Sequence, residues 1–202
     1  MSLIAAFKAV MARHPQAIAV ITAAYQGRAS AATVSSVTSL SVAGPDPPLL
    51  SFNLRIPSAT SELVHASGRF SVNFLAGIDG ADQLASEFAR AGSAVDHLPL
   101  APHPYRTPML NRAPCPVKSA SKANTDVTTT TVLSFSQPAA FARLDCAVHA
   151  SFLVRDHEIW VGEVERIDAD HHEGGGDTYT TRGTGASPGL VYFRRKFHKL
   201  PH

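Results

Sequence analysis

The sequence predicts a mainly β protein, an antiparallel barrel with a few peripheral α-helices. Short strand-like runs outnumber helical ones. They follow one another without the regular strand–helix alternation of a parallel sheet, and Gly/Pro-rich turns separate several of them.

The first run is helical. Over residues 2–13, Leu3, Ile4, Phe7, Val10 and Met11 share one face, Ser2 is placed to cap the start, and His14-Pro15 ends the run because the residue before proline avoids the α region. Ala17 to Tyr25 reads as a buried strand closed by Gln26-Gly27, and Ala29 to Leu40 as a second strand rich in Ala, Val, Ser and Thr. The turn Ala43-Gly44-Pro45-Asp46-Pro47-Pro48 leads to a third strand, Leu49 to Arg55. Ser58 is a good N-cap for a short helix that buries Leu63 and Val64. Arg69 to Leu75 is a strand, and Asp79 to Arg90 a helix with Leu84, Ala85 and Phe88 on one side.

Alternation is clearest after Phe141. Ala142, Leu144, Cys146, Val148, Ala150 and Phe152 face one way, while Arg143, Asp145, His149 and Ser151 face the other. Asp156-His157 forms the turn, Glu158 to Ile167 the returning strand, and Leu190 to Arg194 the last strand. Two stretches lack periodicity: Pro99 to Pro138, rich in Pro, Ser and Thr, and Asp170 to Gly189, with Gly174-Gly175-Gly176. Both read as long loops. The whole of 1–202 is expected to be a single domain, with a loop insertion around 99–138.

Composition narrows the function. Hydrophobic residues at 45% support a real core, and charged residues at 17% are too few for a disordered chain. A net charge of +2 gives no electrostatic case for nucleic acid. The basic cluster Arg194, Arg195 and Lys196 reads as a solvated strand end, with attraction of a dinucleotide's phosphates as the alternative. Cys115 and Cys146 are too few for a disulfide framework. Neither a signal peptide nor a membrane-spanning run is evident, so the expectation is a cytoplasmic protein without membrane partners.

Several motifs are absent or fortuitous. There is no G-x-G-x-x-G after a strand and no P-loop. Ser119-Ala120-Ser121-Lys122 matches S-x-x-K without its partner motifs. His171-His172-Glu173 beside Asp170 lacks a second ligand cluster, so no metal is expected.

One ordered set of segments carries the functional expectation. It runs through Thr33-Val34-Ser35-Ser36-Val37-Thr38-Ser39-Leu40, Pro47-Pro48-Leu49-Leu50-Ser51-Phe52-Asn53-Leu54 and Ser58-Ala59-Thr60. It continues with Phe70 to Leu75, Leu84 to Ala89, Leu144-Asp145-Cys146, Asp156-His157 and Gly162-Glu163-Val164, and ends at Leu190-Val191-Tyr192-Phe193. In order and spacing this resembles the flavin reductase family, the small reductase components of two-component flavin-dependent monooxygenases.

The resemblance implies a Greek-key, FMN-binding split β-barrel that transfers hydride from NADH or NADPH to FMN or FAD. It also implies a homodimer and a partner monooxygenase supplied with reduced flavin. Two rivals are a relative that retains FMN and passes electrons to a partner protein, and a non-enzymatic flavin- or haem-binding module. The implied flavin contacts are Thr33, Val34, Ser35, Ser36, Val37, Asn53 and Leu54, with Ser58, Ala59 and Thr60 at the phosphate. A helix start suits a phosphate, since its amides are free and its dipole is positive there; plain N-capping by Ser58 is the competing reading, and the two are compatible. A turn-stabilising Asn53 is the competing explanation for that residue, and Phe88 belongs either to the core or to the border of the ring. His157, of the Asp156-His157 pair, is the implied catalytic residue at the nicotinamide side. His198 matches a second, nucleotide-binding position, where the family's Gly-x-Tyr is replaced by Arg195-Lys196-Phe197.

Overall fold

The computed structural model describes residues 1–90, 140–169 and 189–199. The expected loop at 99–138 lies outside the described residues, as does the one at 170–189 except for Gly189, which forms an isolated bridge with Ala76.

Helix α1 (Leu3–Met11) starts where expected, with the Ser2 hydroxyl accepting from the Ala5 amide at 3.2 Å. None of its residues is buried, so the apolar face read from the sequence lies open. The strand expected at Ala17 to Tyr25 divides into β1 (Gln16–Ala17) and β2 (Ala19–Tyr25). The division falls at Ile18, whose amide donates to Leu190 O in a second sheet.

The single strand expected from Ala29 to Leu40 is also two, β3 (Arg28–Val34) and β4 (Thr38–Ser41). Next come β5 (Leu49–Arg55), α2 (Ala59–Ser67), β6 (Arg69–Leu75) and α3 (Ala81–Phe88). Ser58 caps α2 as expected, and left-handed Gly68 closes it. The long hairpin is β7 (Ala140–Val154) and β8 (His157–Ala169), so the turn sits at Arg155-Asp156 and His157 opens the returning strand. The chain ends with β9 (Leu190–Phe193) and β10 (Lys196–Lys199).

Seven strands form one antiparallel sheet in the order β3-β2-β6-β7-β8-β5-β4, and β1, β9 and β10 form a smaller one. The break between β3 and β4 explains the shape. These consecutive strands occupy opposite edges of the larger sheet, yet only Ser35, Ser36 and Val37 join them. Flat, seven strands would separate their edges by about 29 Å. The connection reaches about 14 Å at most. The sheet must therefore curl until its edges nearly meet, and it does so without forming a ladder between them: a split barrel.

Inside the curl, Ala19, Ile21, Phe52, Phe70, Val72 and Trp160 pack with Leu63 and Val64 of α2. A second core lies on the other face of β2, where Ile18, Val20 and Ala31 meet Leu75, Ala81, Ala85, Phe88 and Leu190. Both faces of β2 are thus covered, which is why it reads as a near-continuous apolar run.

Part of the polar face of β7 is shut away from water. Arg143 and Asp145 are buried, with Arg143 Nη2 at 2.9 Å from Asp145 Oδ2 and Ser71 Oγ donating to Oδ1 at 2.7 Å. Burial pushes the Cys146 thiol far up, with the Asp145 charge adding to the effect, so it behaves as a small hydrophobe.

The β9–β10 hairpin departs from a local rule. Phe193 pairs with Lys196, leaving Arg194 and Arg195 as a two-residue turn with φ of 50° and 64°. Left-handed backbone costs a residue with a Cβ about 1–2 kcal/mol, and such turns ordinarily carry Asn-Gly or Gly-Gly.

Candidate functional site

The curl places the expected flavin segment at the seam between its edges. The Asn53 amide donates to Ser36 Oγ at 2.9 Å, joining the β3–β4 break to β5. Ser35 Oγ donates to Gln16 Oε1 at 2.8 Å, and Thr33 Oγ1 to Ala85 O of α3 at 2.7 Å. These three hydroxyls hold neighbouring elements in place. What the segment offers a flat ring is therefore chiefly its backbone, close at hand because the side chains are small. Val34 and Leu54 are buried in the main core, Val37 packs against it, and Asn53 is exposed beside the seam.

The start of α2 forms the second part. The Ser58 side chain accepts from the Ser61 amide, and the Glu62 amide bonds to Ser58 O. Helix geometry leaves the Ala59 and Thr60 amides without partners inside the helix. The Thr60 side chain is buried, and its hydroxyl pairs with Ser30 Oγ at 2.8 Å. Residue 60 thus presents an amide, not a hydroxyl, whereas Ala59 is exposed.

Beside that helix start lies an open cleft of about 580 Å³, bordered by Ile56, Ser58, Ser61, His65, Asp156 and Glu158. The Ile56 amide donates to Asp156 O at 2.9 Å, pinning the β7–β8 turn to the segment before α2. His157 Nδ1 sits 3.0 Å from Asp156 Oδ1, and that hydrogen bond holds the Asp156 carboxyl below its usual range. Asp156–His157 and the Ser58–Thr60 turn are therefore neighbours, although about a hundred residues apart in sequence.

The structure adds a group that sequence reasoning missed. Glu158 is buried and accepts from Ser61 Oγ at 2.7 Å, while His65 Nε2 lies 2.9 Å from its Oε1. The His65 ring in turn packs on Trp160, with centroids 4.5 Å apart. The one available signal was Ser61 and His65 at i, i+4 spacing on a helix, too common to single out.

Two expected residues stand apart. Phe88 is buried in the second core. His198 lies on β10 in the smaller sheet, with Nε2 3.1 Å from Phe193 O, and is not among the residues that line the cleft.

Comparison with known proteins agrees with this architecture. The family model for the flavin reductase like domain matches residues 11–201. The NADH:FAD oxidoreductase SgcE6 of Streptomyces globisporus, solved with NAD and FAD fragments, superposes with a TM-score of 0.66 at 18% identity, covering 98% of this chain and 93% of its own. The flavin reductase HpaC complexed with NADP+ gives 0.64 at 22% identity, covering 98% of each chain. The styrene monooxygenase flavin reductase of Pseudomonas putida S12 gives 0.59 at 22% identity, covering 97% of each.

Proposed function

The chain belongs to the flavin reductase family, and from that premise we propose that it transfers hydride from NADH or NADPH to FMN or FAD and passes the reduced flavin to a partner monooxygenase. One observation carries the reading for this chain. The start of α2, at Ser58, borders one cleft with Asp156, which carries His157 on its carboxylate, and the Ile56–Asp156 hydrogen bond pins the two together.

The donor set fits a flavin. The amides of Ala59 and Thr60, with the positive end of α2, would hold its phosphate. The backbone of Thr33 to Val37, with Asn53 beside it, would take the edge of its ring. Bound there, a flavin supplies the N5 acceptor for hydride from the dihydronicotinamide, a step that requires no acid or base from the protein. The residues' task is positioning: the seam fixes the segment that faces the ring, the core fixes α2, and His157 orients the incoming nucleotide from the rim.

The deciding assay follows oxidation of NADH and NADPH with FMN and FAD in all four pairings. Turnover in at least one is expected; none in any would overturn the reading. His157→Ala should raise KM for the nucleotide, or slow hydride transfer, while flavin affinity stays nearly constant. Wild-type kinetics with saturating flavin would return His157 to an ordinary turn residue.

The reading extends to one domain over 1–202 with an insertion at 99–138, and to a cytoplasmic homodimer. For the dimer, the support is apolar surface left open: Leu3 at 87% and Phe7 at 63% on α1, and Leu153 at 68% beside Phe152 and Val154 at the hairpin tip. Light scattering at micromolar concentration should give twice the chain mass, and a monomer would count against it.

A further inference from the structure

We propose that the β9–β10 turn is a phosphate-binding element that favours NADPH over NADH by gripping the 2′-phosphate of its adenosine ribose. The proposal rests on the hydride-donor reading above. It starts from the strained backbone at Arg194 and Arg195, where both central residues of a two-residue turn are left-handed and neither is glycine or asparagine. A turn that would form more readily with Asn-Gly instead carries two guanidinium groups, followed directly by Lys196. Strain held at a surface turn, where no packing calls for it, is a reason to look for a ligand.

The charge around the tip is of one sign. Arg194, Arg195 and Lys196 are exposed, and none has an ion pair among the described residues. The Arg194 amide donates to Ala12 O at 2.8 Å, which brings exposed Arg13 alongside. The Arg194 guanidinium lies over the Phe193 ring, 5.2 Å from its centroid, so one cation is already oriented. Asp79, the carboxylate that reaches β10, is paired with Lys199.

The tip is also tied to the site. Tyr192 sits opposite Gln16, and Gln16 Oε1 accepts from Ser35 in the segment assigned to the flavin ring. The side-chain link from Ser35 to Gln16, one strand spacing to Tyr192 and two residues along β9 then lead to Arg194, on the order of 15 Å. That is a span an extended dinucleotide covers between its nicotinamide and its adenosine ribose. The flavin's own phosphate is provided for at α2. A further phosphomonoester, dianionic and with three terminal oxygens, suits a pair of guanidinium forks and an ammonium group.

Arg195→Gly tests this without endangering the fold, because glycine takes the left-handed conformation without strain. Calorimetric titrations of the wild type should show adenosine 2′,5′-bisphosphate binding at least tenfold more tightly than AMP. Arg195→Gly should erase about tenfold of that preference while its melting temperature holds or rises. The ratio of kcat/KM for NADPH over NADH should fall by a similar factor. Equal affinity for bisphosphate and AMP in the wild type, or an unaltered preference in the variant, would overturn the proposal. So would inorganic phosphate binding as tightly as the bisphosphate, since the turn would then not recognise a nucleotide. The titrations do not depend on turnover, so a protein that selects the bisphosphate yet oxidises neither nucleotide would sink the hydride-donor reading and leave the turn's selectivity standing.

Discussion

Replacing Gly162 with valine is expected to destabilise the protein by about 3 kcal/mol, the upper end for overpacking a core, and to lower its melting temperature by about 6–12 °C. Gly162 lies on β8 between Leu50 of β5 and Val148 of β7. A Cβ there would fall 2.2 Å from Cζ of Phe70, far inside van der Waals contact. The ring has nowhere to go: Phe70 is 2% exposed and meets Phe52 edge to face, with centroids 4.9 Å apart. Interiors this dense transmit such an insertion into strand displacement. Gly189→Ala is the natural control, because its Cβ would meet Phe141 at 3.3 Å, a contact a small shift relieves. Thermal melts of the flavin-free protein decide the matter. A Gly162→Val midpoint within about 2 °C of the wild type, less than 1 kcal/mol for a chain of this size, would show that the Phe70 ring yields.

The glycine in Gly162-Glu163-Val164 was visible in the sequence; its reason was not, because Phe70 reaches it from another strand. The same division runs through the molecule. The expected β5, α2 and β6 match the structure closely, since alternation and the Ser58 cap are local signals. The strand expected at Ala29 to Leu40 failed at Ser35 because a continuous Ser/Thr/Val run carries no local mark of a crossing between sheet edges. Arg143, Asp145 and Glu158 occupy polar positions of alternating strands, a pattern that normally means water, yet all three are buried. Burial of charge depends on partners far along the chain: Ser71 for Asp145, and Ser61 with His65 for Glu158.

The candidate site divides along the same line. Family likeness marked the segments at Thr33, Ser58 and His157. Only the fold shows that the hydroxyls of Thr33, Ser35, Ser36 and Thr60 are engaged with protein, which moves the expected ligand contacts toward backbone amides.

That shift decides where to place a charge to test the phosphate site, and residue 59 is the place. Ala59→Glu is expected to weaken flavin binding ten- to a hundredfold, about 1.4–2.8 kcal/mol, while the melting temperature of the flavin-free protein holds or rises slightly. Ala59 is exposed and is the first residue of α2, so a new side chain has room. A carboxylate in the first helical turn interacts favourably with the helix dipole, which stabilises the empty helix. The same carboxylate repels a bound phosphate only ångströms away, and added salt should narrow the gap by screening the exposed charges. The obvious alternative, Thr60→Glu, would confuse the two effects, because it buries a charge beside Ser30 and removes the 2.8 Å hydroxyl pair. Ala59→Lys supplies the opposite sign: weaker helix, tighter flavin. Fluorescence titration with FMN and FAD, read against thermal melts of both variants, separates affinity from stability. Should the two opposite charges leave flavin affinity unchanged, the phosphate does not sit at the start of α2, and the flavin must be sought elsewhere along the seam.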